Sequence, residues 1–146
     1  MSENRLPNFF IIGAARCGST SLYEYLRAHP RVAMSSVKET DFFSVQRNWR
    51  RGTSWYARFF PDRPGVVAIG EASASYSRDP VTRGVPERIH ALVPRARFVY
   101  LVRHPLERML SHYLHRVSAL KERAPVERAL VENPIYVATS RYHHQI

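Results

Sequence analysis

The chain has little of what staples or anchors a protein. Cys17 is its one cysteine among 146 residues, which excludes a disulfide within the chain and fits a reducing compartment. Long hydrophobic runs are missing as well. The apolar stretch Phe9–Ala15 is too short to span a bilayer, and no basic region precedes it ahead of a small-residue cleavage site. A soluble, cytoplasmic protein without a transmembrane segment is expected. Lysine is nearly absent, at positions 38 and 121 only, so arginine carries almost all of the net charge of +10. That charge favours anionic partners such as nucleotides, sulfated or phosphorylated groups, nucleic acid or acidic glycans. Arginine's planar fork suits bidentate contacts to phosphate or carboxylate, although a GC-rich genome gives the same bias.

Hydrophobic residues at 45% and charged residues at 23% are ordinary for a globular chain. A chain of this size buries roughly 70% of its unfolded surface, enough for one domain or part of one. Residues 1–8 read as a polar lead-in. Phe9–Ile12 reads as a strand buried on both faces and stopped by Gly13. Ser19 to His29 has Leu22, Tyr25 and Leu26 at helical spacing and ends before Pro30. Val32–Met34 reads as a short strand, the segment from Thr53 to Phe60 as a helix, and Val66–Ile69 as a strand ending at Gly70. Pro80 to Val93 carries Val85, Ile89 and Leu92 at helical spacing. Arg97–Val102 is the clearest strand, followed by a long helix with Leu106, Met109, Leu110, Tyr113 and Leu114 on one face. Pro125–Glu132 and Ser140–Ile146 complete the helical segments. Strands alternating with helices imply an α/β fold in which helices flank a central parallel sheet.

Three segments carry chemistry. In Gly13-Ala-Ala-Arg-Cys-Gly-Ser-Thr20, two glycines let backbone N–H groups turn inward at the start of a helix, whose dipole favours an anion. The alternative is a tight strand-to-helix turn with no ligand. The glycines have the spacing of a nucleotide-triphosphate loop, but Ser19 stands where that loop needs lysine, and no strand ends in a magnesium-binding aspartate. Triphosphate hydrolysis and nucleotide kinase activity are therefore disfavoured. In Arg103-His-Pro-Leu-Glu-Arg-Met-Leu-Ser-His-Tyr113, Arg103 follows a strand end, where open α/β sheets bind ligands. With Ser111 it offers a cation and a hydroxyl to a second phosphate, unless Arg103 simply pairs with Glu107. In Lys38-Glu-Thr-Asp-Phe-Phe43, a glutamate beside two aromatics has the makings of a general base, although solvated charged loops are commoner. Trp49, Trp55, Tyr56 and Phe59 either line an acceptor cleft or belong to the core, the more frequent fate of aromatics at helical spacing. No nucleic-acid recognition motif is present.

Taken together, these segments resemble the sulfotransferases that use 3′-phosphoadenosine 5′-phosphosulfate (PAPS). The first loop resembles their 5′-phosphosulfate loop, and the segment from Arg103 resembles their 3′-phosphate motif R-D-P-x-E-R-x-x-S-x-Y. His29-Pro30, Lys38-Glu39 before Phe42-Phe43, Trp55-Tyr56, Gly70-Glu71-Ala-Ser and Val85-Pro-Glu-Arg-Ile-His90 add further matches, closest in order to the heparan-sulfate-type branch and its bacterial relatives. The resemblance covers the chain from about Phe9 onward and implies a P-loop-like, three-layer domain over 9–146.

By position, Arg16, Cys17, Gly18, Ser19 and Thr20 would hold the 5′-phosphosulfate, and Arg103 and Ser111 the 3′-phosphate. Glu39 would be the catalytic base for a hydroxyl or amine on a glycan, lipid or small molecule. The sulfuryl group would pass from PAPS to that acceptor and leave PAP, with no metal required. Arg16 replaces the family's loop lysine; because a guanidinium holds its proton, its catalytic role would be electrostatic. Ala72, Asp41 and His104 stand where the family often has lysine, histidine and aspartate. No counterpart of the family's closing C-terminal segment is visible, so the chain is expected to be the N-terminal portion of such a domain. The alternative is a non-catalytic fragment that binds an adenosine bisphosphate.

Overall fold

The structure, a computed structural model, describes residues 5–146; the first four residues of the expected lead-in lie outside them. Four strands form one parallel sheet in the order β2-β3-β1-β4: β1 Phe9–Gly13, β2 Val32–Met34, β3 Ala68–Ala72 and β4 Arg97–Tyr100. The helices are α1 Ser19–Ala28, α2 Gln46–Trp49, α3 Gly52–Ala57, α4 Val85–Leu92, α5 Pro105–Ser118, α6 Val126–Glu132, α7 Pro134–Val137 and α8 Tyr142–Gln145. Short 3-10 turns occupy Ala74–Ser77 and Ala138–Ser140. At the lead-in's end, Asn8 is knitted into the sheet, exchanging hydrogen bonds with Ile69 and accepting one from Arg97 N–H.

Successive strand residues face opposite sides of a sheet, and β1 shows why both sides need cover. Phe10 and Ile11 are both fully buried, Phe10 in a cluster with Phe42, Phe43, Tyr56 and Ile89, Ile11 in a second with Tyr23, Met34 and Ala72. Two clusters on two faces give the three layers. Trp49, Trp55 and Phe59 pack against the first cluster, and Tyr56 stacks on Phe42 at a ring separation of 4.1 Å. The aromatics weighed as acceptor contacts therefore build the core.

Several expectations are corrected. Gly70 does not end its strand: β3 runs through it to Ala72, and Gly70 lies opposite Phe9 of β1. A methyl group on Gly70 would overlap the Phe9 ring, so the glycine marks a close approach within the sheet. Gly70→Ala is expected to lower stability by about 1–3 kcal/mol, the usual range for overpacking, measurable by urea unfolding. The strand expected over Arg97–Val102 stops at Tyr100, and the helix expected from Pro80 begins at Val85, past the turn at Thr82. The Thr53–Phe60 helix spans Gly52–Ala57 and is preceded by α2, and the last helix is the single turn α8.

Two helices bury unexpected faces. On α1, Tyr25 is exposed while Tyr23 is buried, donating its hydroxyl to Ser35 O at 2.6 Å. On α5, Leu106, Leu110 and Leu114 are exposed whereas Arg108 and His112 are buried. The segment 134–140 packs on α5 and offers oxygen acceptors there, so it selects the polar face. Arg108 donates Nε to Ser140 Oγ and Nη2 to Tyr136 O, each at 2.5 Å, and Nη1 lies 3.2 Å from His112 Nδ1. Burial, then the neighbouring Arg108 charge, holds His112 down to about 3, so its ring is neutral at physiological pH.

Candidate functional site

All four strands are parallel, so their carboxyl ends share one edge, where ligands of open α/β sheets bind. Each strand is followed there by one charged group of interest: Arg16 after β1, Glu39 after β2, Arg78 after β3 and Arg103 after β4. Two adjoining concavities lie at this edge. The first, of about 370 Å³, is lined by Ala15, Arg16, Ser19, Thr20, Lys38, Glu39, Asp41, Ala74, Arg78, His112 and His115. The second is more open, about 640 Å³, and its lining includes Arg16, Arg103, Glu107, Ser111 and His115.

The loop between β1 and α1 turns into the helix on its second glycine. Gly18 caps α1 at a φ of 90°, a conformation that glycine adopts without cost. No side chain caps the helix, so Ser19 and Thr20 are left to line the first cavity. Cys17 and Gly18 shape the turn and do not line either cavity. The half-buried Cys17 sulfur lies 3.8 Å from Tyr142 Oη on α8. Tyr142 Oη in turn donates to Arg103 O at 2.8 Å, which ties the loop after β1 to the segment after β4.

Arg16 belongs to both concavities. It has a φ of 70°, unusual for a residue with a side chain, and donates Nε to Ser111 Oγ at 3.1 Å across to α5. Thus the sequence motifs, far apart in the chain, meet through a hydrogen bond. Arg103 pairs with Glu107 at 3.0 Å, the contact weighed as its alternative, and still lines the second concavity.

Glu39 is placed by a strained turn. It and Asp41 have φ values of 59° and 50°, a left-handed conformation that persists only where surroundings impose it. Here Glu39 N–H donates to Ala72 O at 2.8 Å, Asp41 N–H to Ser73 Oγ at 3.1 Å, and Asn48 Nδ2 to Thr40 O at 3.0 Å. The Glu39 carboxylate accepts from Ala74 N–H at 2.9 Å and pairs with Lys38. Phe42 and Phe43 turn into the core, so the expected apolar neighbourhood is not what surrounds the Glu39 side chain, which is 36% exposed. Asp41 is half-buried, and desolvation raises its pKa while the hydrogen bond from Ser75 opposes the shift.

Beneath this turn sits Glu71, fully buried. Its carboxyl accepts from Thr40 Oγ1 at 2.7 Å, Ser73 Oγ at 2.5 Å, Tyr56 Oη at 2.5 Å and Tyr76 Oη at 3.0 Å. Burial raises its pKa, partly offset by the hydroxyls of Ser73, Tyr56, Thr40 and Tyr76. Sequence reading gave no role to Glu71, Arg78, Arg108 or His112. Signals were present: Glu71 stands in the matched Gly70-Glu71-Ala-Ser and is a charged residue next to a glycine in an apolar strand, and Arg108 and His112 lie in the segment from Arg103.

A family model for the sulfotransferase domain matches residues 6–132. Among curated proteins, human bifunctional heparan sulfate N-deacetylase/N-sulfotransferase 3 is 35% identical over 121 residues, covering 79% of this chain and 14% of that protein. The membrane-associated sulfotransferase kil1 of Dictyostelium discoideum is 35% identical over 119 residues, covering 80% and 24%. The crystal structure of a sulfotransferase from Alicyclobacillus acidocaldarius superimposes with a TM-score of 0.82 at 30% identity, over 97% of this chain and 66% of that one. The chain thus spans a small fraction of these curated relatives and about two thirds of the bacterial structure.

Proposed function

The chain belongs to the sulfotransferase domain family, and we propose that it forms the N-terminal part of a domain, over 9–146, that moves a sulfuryl group from PAPS to a hydroxyl or amine. The observation that carries this reading is the pair of adjoining concavities joined by Arg16, with a carboxylate in one and a cation–hydroxyl pair in the other. Such a set fits a donor with two separated anionic groups. Ser19, Thr20, Arg16 and the first turn of α1 would take its 5′ end, with Cys17 and Gly18 supplying the turn, and Arg103 and Ser111 its 3′-phosphate. The donor supplies an activated sulfuryl group.

The chain's residues do the rest. Glu39 accepts the proton of the attacking hydroxyl or amine as the acceptor–sulfur bond forms and the bond from sulfur to the phosphate oxygen breaks. PAP leaves with that electron pair, and Arg16 offsets the charge developing on the leaving oxygen, the kind of preorganised contact that usually supplies the largest share of catalysis. Because the human relative acts on heparan sulfate, the amine or hydroxyl of an acidic glycan is the acceptor to test first.

Calorimetric titration with PAP and a sulfate-transfer assay test the reading. Arg103→Ala is expected to weaken PAP binding about 10- to 100-fold, the worth of a charge-assisted hydrogen bond. An unchanged affinity would remove Arg103 from the site. PAP binding without transfer to any acceptor would instead leave a binding fragment.

A further inference from the structure

Two cations of the first cavity are not employed by the reading above, Lys38 and Arg78, and of these Lys38 is held by Glu39. Arg78 follows the 3-10 turn Ala74–Ser77, whose Ser77 hydroxyl is anchored on Ile12 O at 2.5 Å, beside the start of the phosphate loop. The other charged groups of the wall have protein partners: Arg16 has Ser111, Lys38 has Glu39, and Asp41 accepts from Ser75. Arg78 takes part in no salt bridge among the described residues. Its Nε is buried with no hydrogen-bond partner, although buried donors are almost always paired. Its surroundings add to the imbalance: the Arg78 charge is felt by Arg108 and His112 on one side and by Asp41 on the other. Arg108 spends its donors on neutral oxygens and on His112, whose ring is neutral. Positive charge therefore exceeds negative around a cavity wall that also holds Arg16, and the least satisfied donor there is Arg78.

We propose that Arg78 is an anion-binding residue of this cavity, taking a sulfate-like or carboxylate oxyanion. A guanidinium fork is suited to a bidentate contact with such a group. Two sources share this chemistry: the sulfuryl group carried by the donor, or an acidic substituent on the acceptor. The site itself does not depend on the sulfuryl-transfer reading; only the choice between these sources does.

Inorganic sulfate is the probe. In a titration followed by the arginine Nε–H resonances, the signal lost in Arg78→Lys identifies Arg78. It is expected to move saturably with sulfate and to stay still with chloride at equal ionic strength. Arg78→Ala is expected to weaken sulfate binding about tenfold, with partial recovery in Arg78→Lys, which keeps the charge but not the fork. An Arg78 resonance indifferent to sulfate overturns the proposal, even if the protein binds PAP normally. Conversely, a responsive resonance in a protein that fails to bind PAP leaves the anion site standing and removes the PAPS reading.

The source follows from two comparisons. If Arg78 holds the sulfuryl group, Arg78→Ala loses affinity for PAPS but not for PAP. If it reads the acceptor, both donor affinities stay unchanged, and the variant no longer prefers a glucuronate-bearing oligosaccharide over its carboxyl-reduced form. Arg78→Ala matching the native protein in sulfate, PAPS and oligosaccharide binding also overturns the proposal.

Discussion

Glu39→Gln is expected to slow sulfate transfer by roughly 10²- to 10⁴-fold, the usual contribution of a positioned general base, while PAP affinity stays within about twofold of native, well under 1 kcal/mol. The two effects separate because Glu39 lines the first cavity, whereas Arg103 and Ser111 line the second. The amide keeps an acceptor oxygen for Ala74 N–H, so the left-handed turn is retained and the loss is chemical. Single-turnover kinetics with calorimetry on the same preparation give both quantities. Full activity in Glu39→Gln would place the base elsewhere.

The second large effect is on folding. Glu71→Ala leaves four hydroxyls, on Thr40, Tyr56, Ser73 and Tyr76, without their shared acceptor inside the protein. Unsatisfied buried groups cost about 1–3 kcal/mol each. Thr40 and Tyr76, 3.4 Å apart, recover part of this by pairing with one another. A net loss of about 3–5 kcal/mol follows, a large share of the 5–15 kcal/mol that holds a typical domain. Urea unfolding measures it, and a loss below 1 kcal/mol would contradict the role assigned to the carboxyl.

Glu71 also sets a pH dependence whose sign is fixed by its raised pKa. The folded state holds this proton more tightly than the unfolded chain, where the value is near 4.5. Stability from this group is therefore full below that value and is lost as pH rises through the higher folded pKa. Glu71→Gln removes the slope, so the native-minus-variant difference in unfolding free energy should decline with rising pH across that window.

Much of this arrangement was legible in the sequence because it is written locally. Phe9–Gly13 followed by the glycine loop and Leu22–Leu26 specifies a strand, a turn and a helix from residues that are neighbours in the chain. Arg103 and Ser111 sit one after a strand and one on the next helix, so position alone sends both to the same edge. The illegible parts depend on distant partners. Gly70 reads as a strand end until the Phe9 ring is laid over it, and Arg108 carries no sign of burial until residues 134–140 bring oxygens to meet it. The apolar residues of α5 pointed to the wrong buried face for the same reason: periodicity reports what is greasy, and here the packing segment meets Arg108 with a hydroxyl and a backbone carbonyl. Arg78 had no local signature, since only the fold brings it to the wall shared by Arg16 and Glu39.

The hydrogen bond from Arg16 to Ser111 has a thermodynamic corollary. One guanidinium borders both concavities, so an anion that draws it toward one side alters what it can offer the other. Under the function proposed above, affinities for the two halves of a bisubstituted nucleotide are linked, and the linkage must be reciprocal. A fragment carrying only a 5′-phosphate and one carrying only a 3′-phosphate would each change the other's dissociation constant by the same factor, and Ser111→Ala, which frees Arg16, would change that factor.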